Sequence, residues 1–121
     1  MKNGELAKRT KAFALSVVRF VETLPPAERT ADVFGRQLLR SASSVAANYR
    51  AACRAKSKAD FVNKLGNVEE EADESGYWLE MIEETGLDCS SAGKALRAEA
   101  GEIVAMVVAS IKTARNHQSH N

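Results

Sequence analysis

Two long helical patterns of opposite charge follow one another in residues 36–79, which read RQLLRSASSVAANYRAACRAKSKADFVNKLGNVEEEADESGYWL. In both, apolar residues recur every three or four positions, the spacing that keeps one face of an α-helix apolar. Basic residues dominate as far as Lys64, whereas residues 69–88 contain nine acids and no base. Charge sorted in this way is typical of a helical interaction module, so the sequence predicts binding rather than catalysis.

The periodic segments predict four helices, at about 5–24, 31–55, 58–85 and 91–114. Pro25 and Pro26 end the first helix, and the Thr30 hydroxyl is expected to cap the second. Ser57 starts a capping box before the third helix, which Gly86 stops. Because the connections are short, neighbouring helices should run antiparallel. The predicted fold class is therefore all-α, an up-down-up-down four-helix bundle.

A single domain over residues 1–121 accounts for the chain, because no repeat or low-complexity segment divides it. Residues 115–121 have no apolar anchor and are expected to form a mobile tail. The longest apolar run, residues 103–109, is far shorter than the ~20 residues that span a bilayer, so no membrane partner is predicted. Cys53 and Cys89 form no CxxC pair, so a cytoplasmic location is expected.

A metal site is one hypothesis for the third helix, where Glu71, Glu74 and Trp78 share one side. Di-metal bundles also need a histidine three residues after a glutamate on two helices, and His117 and His120 lie outside the helical pattern. No Ser/His/Asp set, phosphate loop or zinc spacing occurs elsewhere. The sequence therefore predicts no metal, no cofactor, no catalytic residue and no small-molecule substrate.

A polar row runs beside the apolar stripe of the second helix at four-residue intervals from Arg36. Serine and asparagine are mediocre helix formers, so their place in this row favours a structural or binding role. The first interpretation is an interhelical polar network, at least partly buried, of Arg40, Ser44, Asn48, Glu71 and Glu74. Contact with a ligand or with RNA is the alternative for the same row.

The apolar surface exceeds what one bundle needs. Residues 103–109, IVAMVVA, are apolar at every position, whereas a bundle helix needs only a stripe of roughly 100° to 140°. Apolar residues of the first helix also spread over more than one face. We therefore predict a homo-oligomer with an interface that includes Leu15, Ile103, Val104, Met106 and Val108. A broad core without an oligomer is the alternative.

Residues 37–48, QLLRSASSVAAN, and residues 54–61, RAKSKADF, resemble bacterial four-helix-bundle proteins known as ribosomal RNA intervening-sequence proteins. The shared elements are a basic turn before Phe61, an acidic third helix, and a set spaced three, four and four apart, Gln37, Arg40, Ser44 and Asn48. The resemblance extends over residues 12–114. It implies an antiparallel four-helix bundle that assembles into a homopentameric ring.

The same resemblance implies less about function. Some members are encoded within insertions in the large ribosomal RNA gene. A related branch, the accessory variability determinant proteins, assists a retroelement reverse transcriptase, which implies nucleic-acid contact through a basic surface. After the asparagine the family commonly reads Ile-Ala-Glu-Gly, whereas this chain has Tyr49, Arg50, Ala51 and Ala52. The role of that glutamate cannot be transferred, while Arg50 adds positive charge and favours an anionic partner.

Two functions remain open at this point. The first is a self-assembling scaffold that binds structured RNA or DNA through Arg36, Arg40, Arg50, Arg54, Lys56 and Lys58. The second is a purely structural or protein-binding oligomer, in which the acidic third helix neutralises those same residues.

Overall fold

Four α-helices form the computed structural model, which describes residues 3–119 and the side chains of residues 4–116. They are α1 (Asn3–Val21), α2 (Arg29–Ala52), α3 (Lys58–Glu84) and α4 (Ser91–Ser119). Each helix packs against the next one along the chain, and α1 also packs against α4. With such short connections, this packing gives an antiparallel bundle. The predicted all-α four-helix fold is confirmed, and the described residues contain no strand.

The core is built from one apolar stripe of each helix, and these are the residues that carried the three- and four-residue spacing. Its fully buried aliphatic members are Leu6, Val17, Leu38, Val45, Leu65, Val68, Ile82, Ile103 and Val107. At about 25 cal/mol per Å² of apolar surface removed from water, this burial is the main drive for folding.

Several helix ends differ from the predicted ones. α1 ends at Val21, because residues 22–24 already form turns that lead into the prolines. α2 begins at Arg29 after Glu28, and no side chain caps it, so the prediction that Thr30 caps this helix is wrong. The other end of α2 is Ala52 rather than residue 55.

The fourth helix also extends beyond its predicted end at about residue 114, because residues 115–119 of the predicted tail continue α4. No glycine or proline interrupts these residues, so the helix extends without an apolar anchor. Residues 120–121 lie outside the described part of the chain.

The ends of α3 follow the sequence signals. The Ser57 hydroxyl oxygen accepts a hydrogen bond from the Asp60 amide at 3.0 Å, as a helix N-cap does. At the other end Gly86 has φ +78°, a left-handed conformation that disfavours residues with a Cβ. The Leu87 amide then donates to the Ile82 carbonyl at 3.1 Å, which closes a Schellman turn.

The contact between α2 and α3 is made with small side chains. Ser41 and Ser75 are fully buried, and their hydroxyl oxygens lie 3.0 Å apart. Each oxygen also lies within hydrogen-bonding distance of a carbonyl of its own helix, so both buried hydroxyls are satisfied. The nearby core residues Ala42 and Ala72 are small as well, which lets the two backbones approach closely.

A polar network reinforces this contact nearer the surface. The Arg40 guanidinium lies 3.1 Å from a Glu71 carboxylate oxygen and donates a second hydrogen bond to Glu74. The indole N–H of Trp78 donates to the same Glu74 carboxylate at 3.1 Å. The centroid of the Phe34 ring lies 5.6 Å from that of the Trp78 ring. The network thus joins α2 to α3 through three charged groups and one aromatic pair.

Ser44 and Asn48 do not belong to this network, so their predicted interhelical hydrogen bonds are wrong. Both are half-buried, yet among the described side chains neither forms a hydrogen bond to another helix. The bond between helices is made instead by Ser41, which lies on the buried stripe, whereas Ser44 and Asn48 lie at its border.

Glu74 shows the electrostatic effect of the network. Burial acts to raise the pKa of its carboxyl, but the hydrogen bonds from Trp78 and Arg40 outweigh burial and lower the pKa below its usual value. A carboxyl with a lowered pKa stabilises the fold when it is ionised, and that stabilisation is lost as the pH falls through the folded-state pKa.

Replacing Ser75 with leucine should destabilise the bundle by about 1–3 kcal/mol, because the added methylenes have no room between α2 and α3. Chemical unfolding followed by circular dichroism measures the change. The control Ser43→Leu lies on the exposed side of α2 and should leave stability unchanged. Equal stability of Ser75→Leu and the wild type would contradict the close contact.

Replacing Arg40 with methionine should cost about 0.5–1 kcal/mol at neutral pH, since Arg40 is half-exposed and its ion pairs are partly screened. The difference from the wild type should shrink as the pH falls through the lowered pKa of Glu74, because a protonated carboxyl no longer attracts the guanidinium. Unfolding free energies measured across acidic pH test this. The control Arg36→Met, whose only acid partner among the described side chains is the exposed Asp32, should show a smaller change, and a pH-independent loss would contradict the assignment.

Candidate nucleic-acid interface

Because the chain bends between α2 and α3, the basic and the acidic residues of these two helices lie in different parts of the bundle. Residues 53–57 bring the end of α2 beside the start of α3, so basic residues on both sides of the bend share one end of the bundle. The acids from Glu69 onward lie farther along α3, beside the first half of α2, as the contact of Glu71 with Arg40 shows. We call the first region the basic end and define it by Arg50, Arg54, Lys56, Lys58 and Lys64.

The six basic residues singled out from the sequence fall into two groups. Arg36 pairs with Asp32 of its own helix at 3.2 Å, and Arg40 pairs with Glu71 and Glu74 of α3. The remaining four are exposed, and among the described side chains no acid forms a salt bridge with Arg50, Arg54, Lys56 or Lys58. Within this set of six, Arg40 alone forms a salt bridge with an acid of α3 among the described side chains.

Lys64 belongs to the basic end but was absent from the predicted site. Its ammonium nitrogen lies 2.8 Å from an Asp60 oxygen, which also accepts the Lys56 backbone N–H at 3.1 Å. The hydrogen bond from Lys64 is the largest cause, and the one from Lys56 the next, of a pKa of Asp60 below its usual value. The sequence feature that could have placed Lys64 in the site is its position two turns into α3, opposite the last turns of α2.

A hollow of about 320 Å³ opens on the basic end, lined by Ala47, Arg50, Ala51, Arg54 and Lys64. The first three share one face of α2, Arg54 follows just after the end of that helix, and Lys64 reaches the same hollow from α3. The two alanine side chains are too short to fill it. Three cationic side chains from both sides of the bend thus meet around one open space.

The residues predicted to form the oligomer interface do not lie on one exposed surface. Leu15 is 48% exposed, with the 40% exposed Val18 beside it on α1, whereas Ile103 is fully buried and its assignment to an interface is wrong. The apolar turn of α4 sends Ile103 into the chain's own core, while its outer side carries only the alanines at 105 and 109. Val104 and Val108 are half-buried.

Met106 is held by contacts within the chain. Its sulfur lies 3.1 Å from an Arg9 guanidinium nitrogen, and the same guanidinium pairs with Glu99 at 2.6 Å. The side chain therefore serves the α1–α4 contact more than a free surface.

The described residues contain neither a metal-binding group nor a helix that could span a membrane. In that part of the chain no three His, Cys, Asp or Glu side chains come together as a metal-binding group. The side chain of His117 and all of His120 lie outside it. None of the helices within residues 3–119 combines the length and apolar character needed to cross a membrane.

Comparison with known proteins gives two findings of similarity. The family described as 23S rRNA-intervening sequence protein matches residues 2–109. A crystal structure at 1.70 Å resolution, of a protein with unknown function from the S23 ribosomal protein family of Bacteroides thetaiotaomicron, is 33% identical with a TM-score of 0.84. That alignment covers 93% of this chain and 99% of the other. No curated protein matches the chain.

The family match covers most of the chain, and the structural similarity extends over nearly the whole bundle. Both agree with the resemblance seen in residues 37–61. The chain belongs to the 23S rRNA-intervening sequence protein family.

Proposed function

We propose that this protein binds the phosphate backbone of structured RNA or DNA through its basic end. The observation that carries the proposal is that Arg50, Arg54, Lys56 and Lys58 are exposed and form no salt bridge with any acid among the described side chains. Cations left unpaired at one place attract a polyanion, although the net charge of the whole chain is only +1. Contacts of this kind position a nucleic acid without reading its sequence.

The ion pairs reduce the set of residues that was predicted from the sequence to bind nucleic acid. Arg36 and Arg40 already engage acids, and a phosphate would have to displace Asp32, Glu71 or Glu74 to reach them. We therefore assign the binding role to the basic end and a structural role to Arg40. The family description refers to 23S rRNA, which makes a structured RNA the first ligand to test.

Binding of a fluorescent RNA hairpin, followed by anisotropy, should weaken steeply with salt, because each neutralised phosphate contributes about −0.9 to the slope of log K against log salt for a duplex. A variant with glutamine at positions 50, 54, 56 and 58 should bind weakly and show a slope that is closer to zero. The slope should change by about 0.9 for each phosphate that the variant no longer neutralises.

The matched control carries glutamine in place of four basic residues at or toward the opposite end, Arg19, Arg29, Arg36 and Lys94. It changes the net charge by the same amount, so it should keep most of the affinity if the location of the charge matters. Loss of binding to the same degree in both variants would contradict the assignment of the site. Absence of binding by the wild type at low salt would overturn the proposal.

We also propose that copies of the chain associate, which the exposed Leu15 and Val18 on α1 support. Two hollows along the seam of α3 and α4, of about 580 and 360 Å³, contain Val108 and Val104 in their walls. In the proposed association, side chains of a second copy enter these hollows, and a contact between two different surfaces can close into a ring. The family resemblance supplies five as the number of copies.

Light scattering coupled to size exclusion at micromolar concentration should give a mass of several chains, and five if the ring forms. The double variant Leu15→Glu and Val18→Glu should shift the mass to one chain, because burying unpaired carboxylates in an interface is costly. The control Val33→Glu changes an apolar residue of α2 that is exposed to the same 48% as Leu15, and it should keep the mass of the wild type. A monomeric wild type would end the proposal of association.

A further inference from the structure

We infer that the hollow lined by Ala47, Arg50, Ala51, Arg54 and Lys64 binds a single phosphate group. This inference rests on the proposed function, because it names the point on the basic end where the backbone of a bound nucleic acid is fixed. Arg50 lies in the last turn of α2, Arg54 follows four residues later in the bend, and Lys64 approaches from α3. Three cations therefore surround the space from two sides.

The arrangement differs from a diffuse basic surface. Two alanines where the helix could carry long side chains leave a hollow of about 320 Å³, at the lower end of the range of small-ligand pockets. Arginine offers planar N–H donors that match the oxygens of a phosphate, and charge-assisted hydrogen bonds of this kind are about twice as strong as neutral ones. A compact oxyanion complements the positive charge of the three side chains that line this space, which an extended apolar ligand would not.

Lys64 is held in position rather than neutralised completely. Its ammonium donates one hydrogen bond to Asp60 at 2.8 Å and retains two further N–H donors. Asp60 in turn is tied to the bend through the Lys56 backbone amide. The site therefore has three positive charges and one negative charge paired with Lys64, an excess of positive charge that favours an anion.

Two sources supply this chemistry, a phosphodiester of a nucleic-acid backbone and a free phosphate ion. They are distinguished with two probes, inorganic phosphate and an RNA hairpin that has hydroxyl groups at both ends. Phosphate is titrated against chloride at constant ionic strength, and the side-chain N–H resonances of Arg50 and Arg54 report occupancy. The RNA is followed by fluorescence anisotropy.

The test variant is Ala47→Leu, which fills the hollow and leaves every charge in place. Ala47 is exposed on α2, so the fold is retained, and circular dichroism checks this. The control Ser43→Leu lies one turn earlier, outside the hollow. We expect saturable resonance shifts with phosphate, about tenfold weaker binding of both probes by Ala47→Leu, and wild-type binding by Ser43→Leu. Arg54→Gln should weaken both probes similarly.

The outcomes separate the two proposals. Unchanged binding of both probes by Ala47→Leu overturns the phosphate site, while binding through the basic end stands. Phosphate binding that Ala47→Leu abolishes, together with no RNA binding by the wild type, supports the site for free phosphate and overturns the proposed function. Loss of phosphate binding with unchanged RNA binding overturns the inference that the backbone is fixed there.

Discussion

The close approach of α2 and α3 is the constraint on which the rest of the molecule depends. It is made with hydroxyl and methyl side chains, and the buried pair of Ser41 and Ser75 fixes how far each helix extends past the other. In that register Arg40 faces Glu71 and Glu74, and the residues around the bend come to one end. A slip of one turn would move the guanidinium away from both carboxylates and separate the two hydroxyl groups, each of which would keep only the carbonyl of its own helix. The interhelical hydrogen bonds and ion pairs therefore favour one arrangement.

The fold could be predicted from the sequence because the apolar spacing and the helix caps are local features that agree with one another. The spacing of Leu65, Val68, Leu79 and Ile82 predicted a buried face, and these side chains are buried. Ser57 and Gly86 mark the ends of α3 through hydrogen bonds within a few residues of themselves. Other ends, such as that of α4, depend on the balance between helix propagation and solvent, to which the absence of an apolar residue is a poor guide.

The candidate site could be predicted only in part from the sequence, because a sequence shows which residues are charged but not which residues they pair with. Arg40 and Arg54 look alike in the sequence, yet one meets carboxylates 31 and 34 residues away and the other has none among the described side chains. Ser44 was predicted to make the bond that Ser41 makes, since spacing does not resolve which border residue turns inward. The hollow itself depends on Lys64 reaching α2, a contact between helices that only the structure supplies.

The basic and acidic residues lie in different parts of the bundle, so an electric field orients the molecule even though its net charge is only +1. An uneven distribution of charge gives a molecule a dipole moment, so a nearby polyanion exerts a torque as well as a weak attraction. If the basic end binds RNA as proposed, diffusional encounters would occur mainly with the bend between α2 and α3 leading, which would raise the fraction of productive collisions. The association rate constant would depend strongly on ionic strength, as for a far more basic protein.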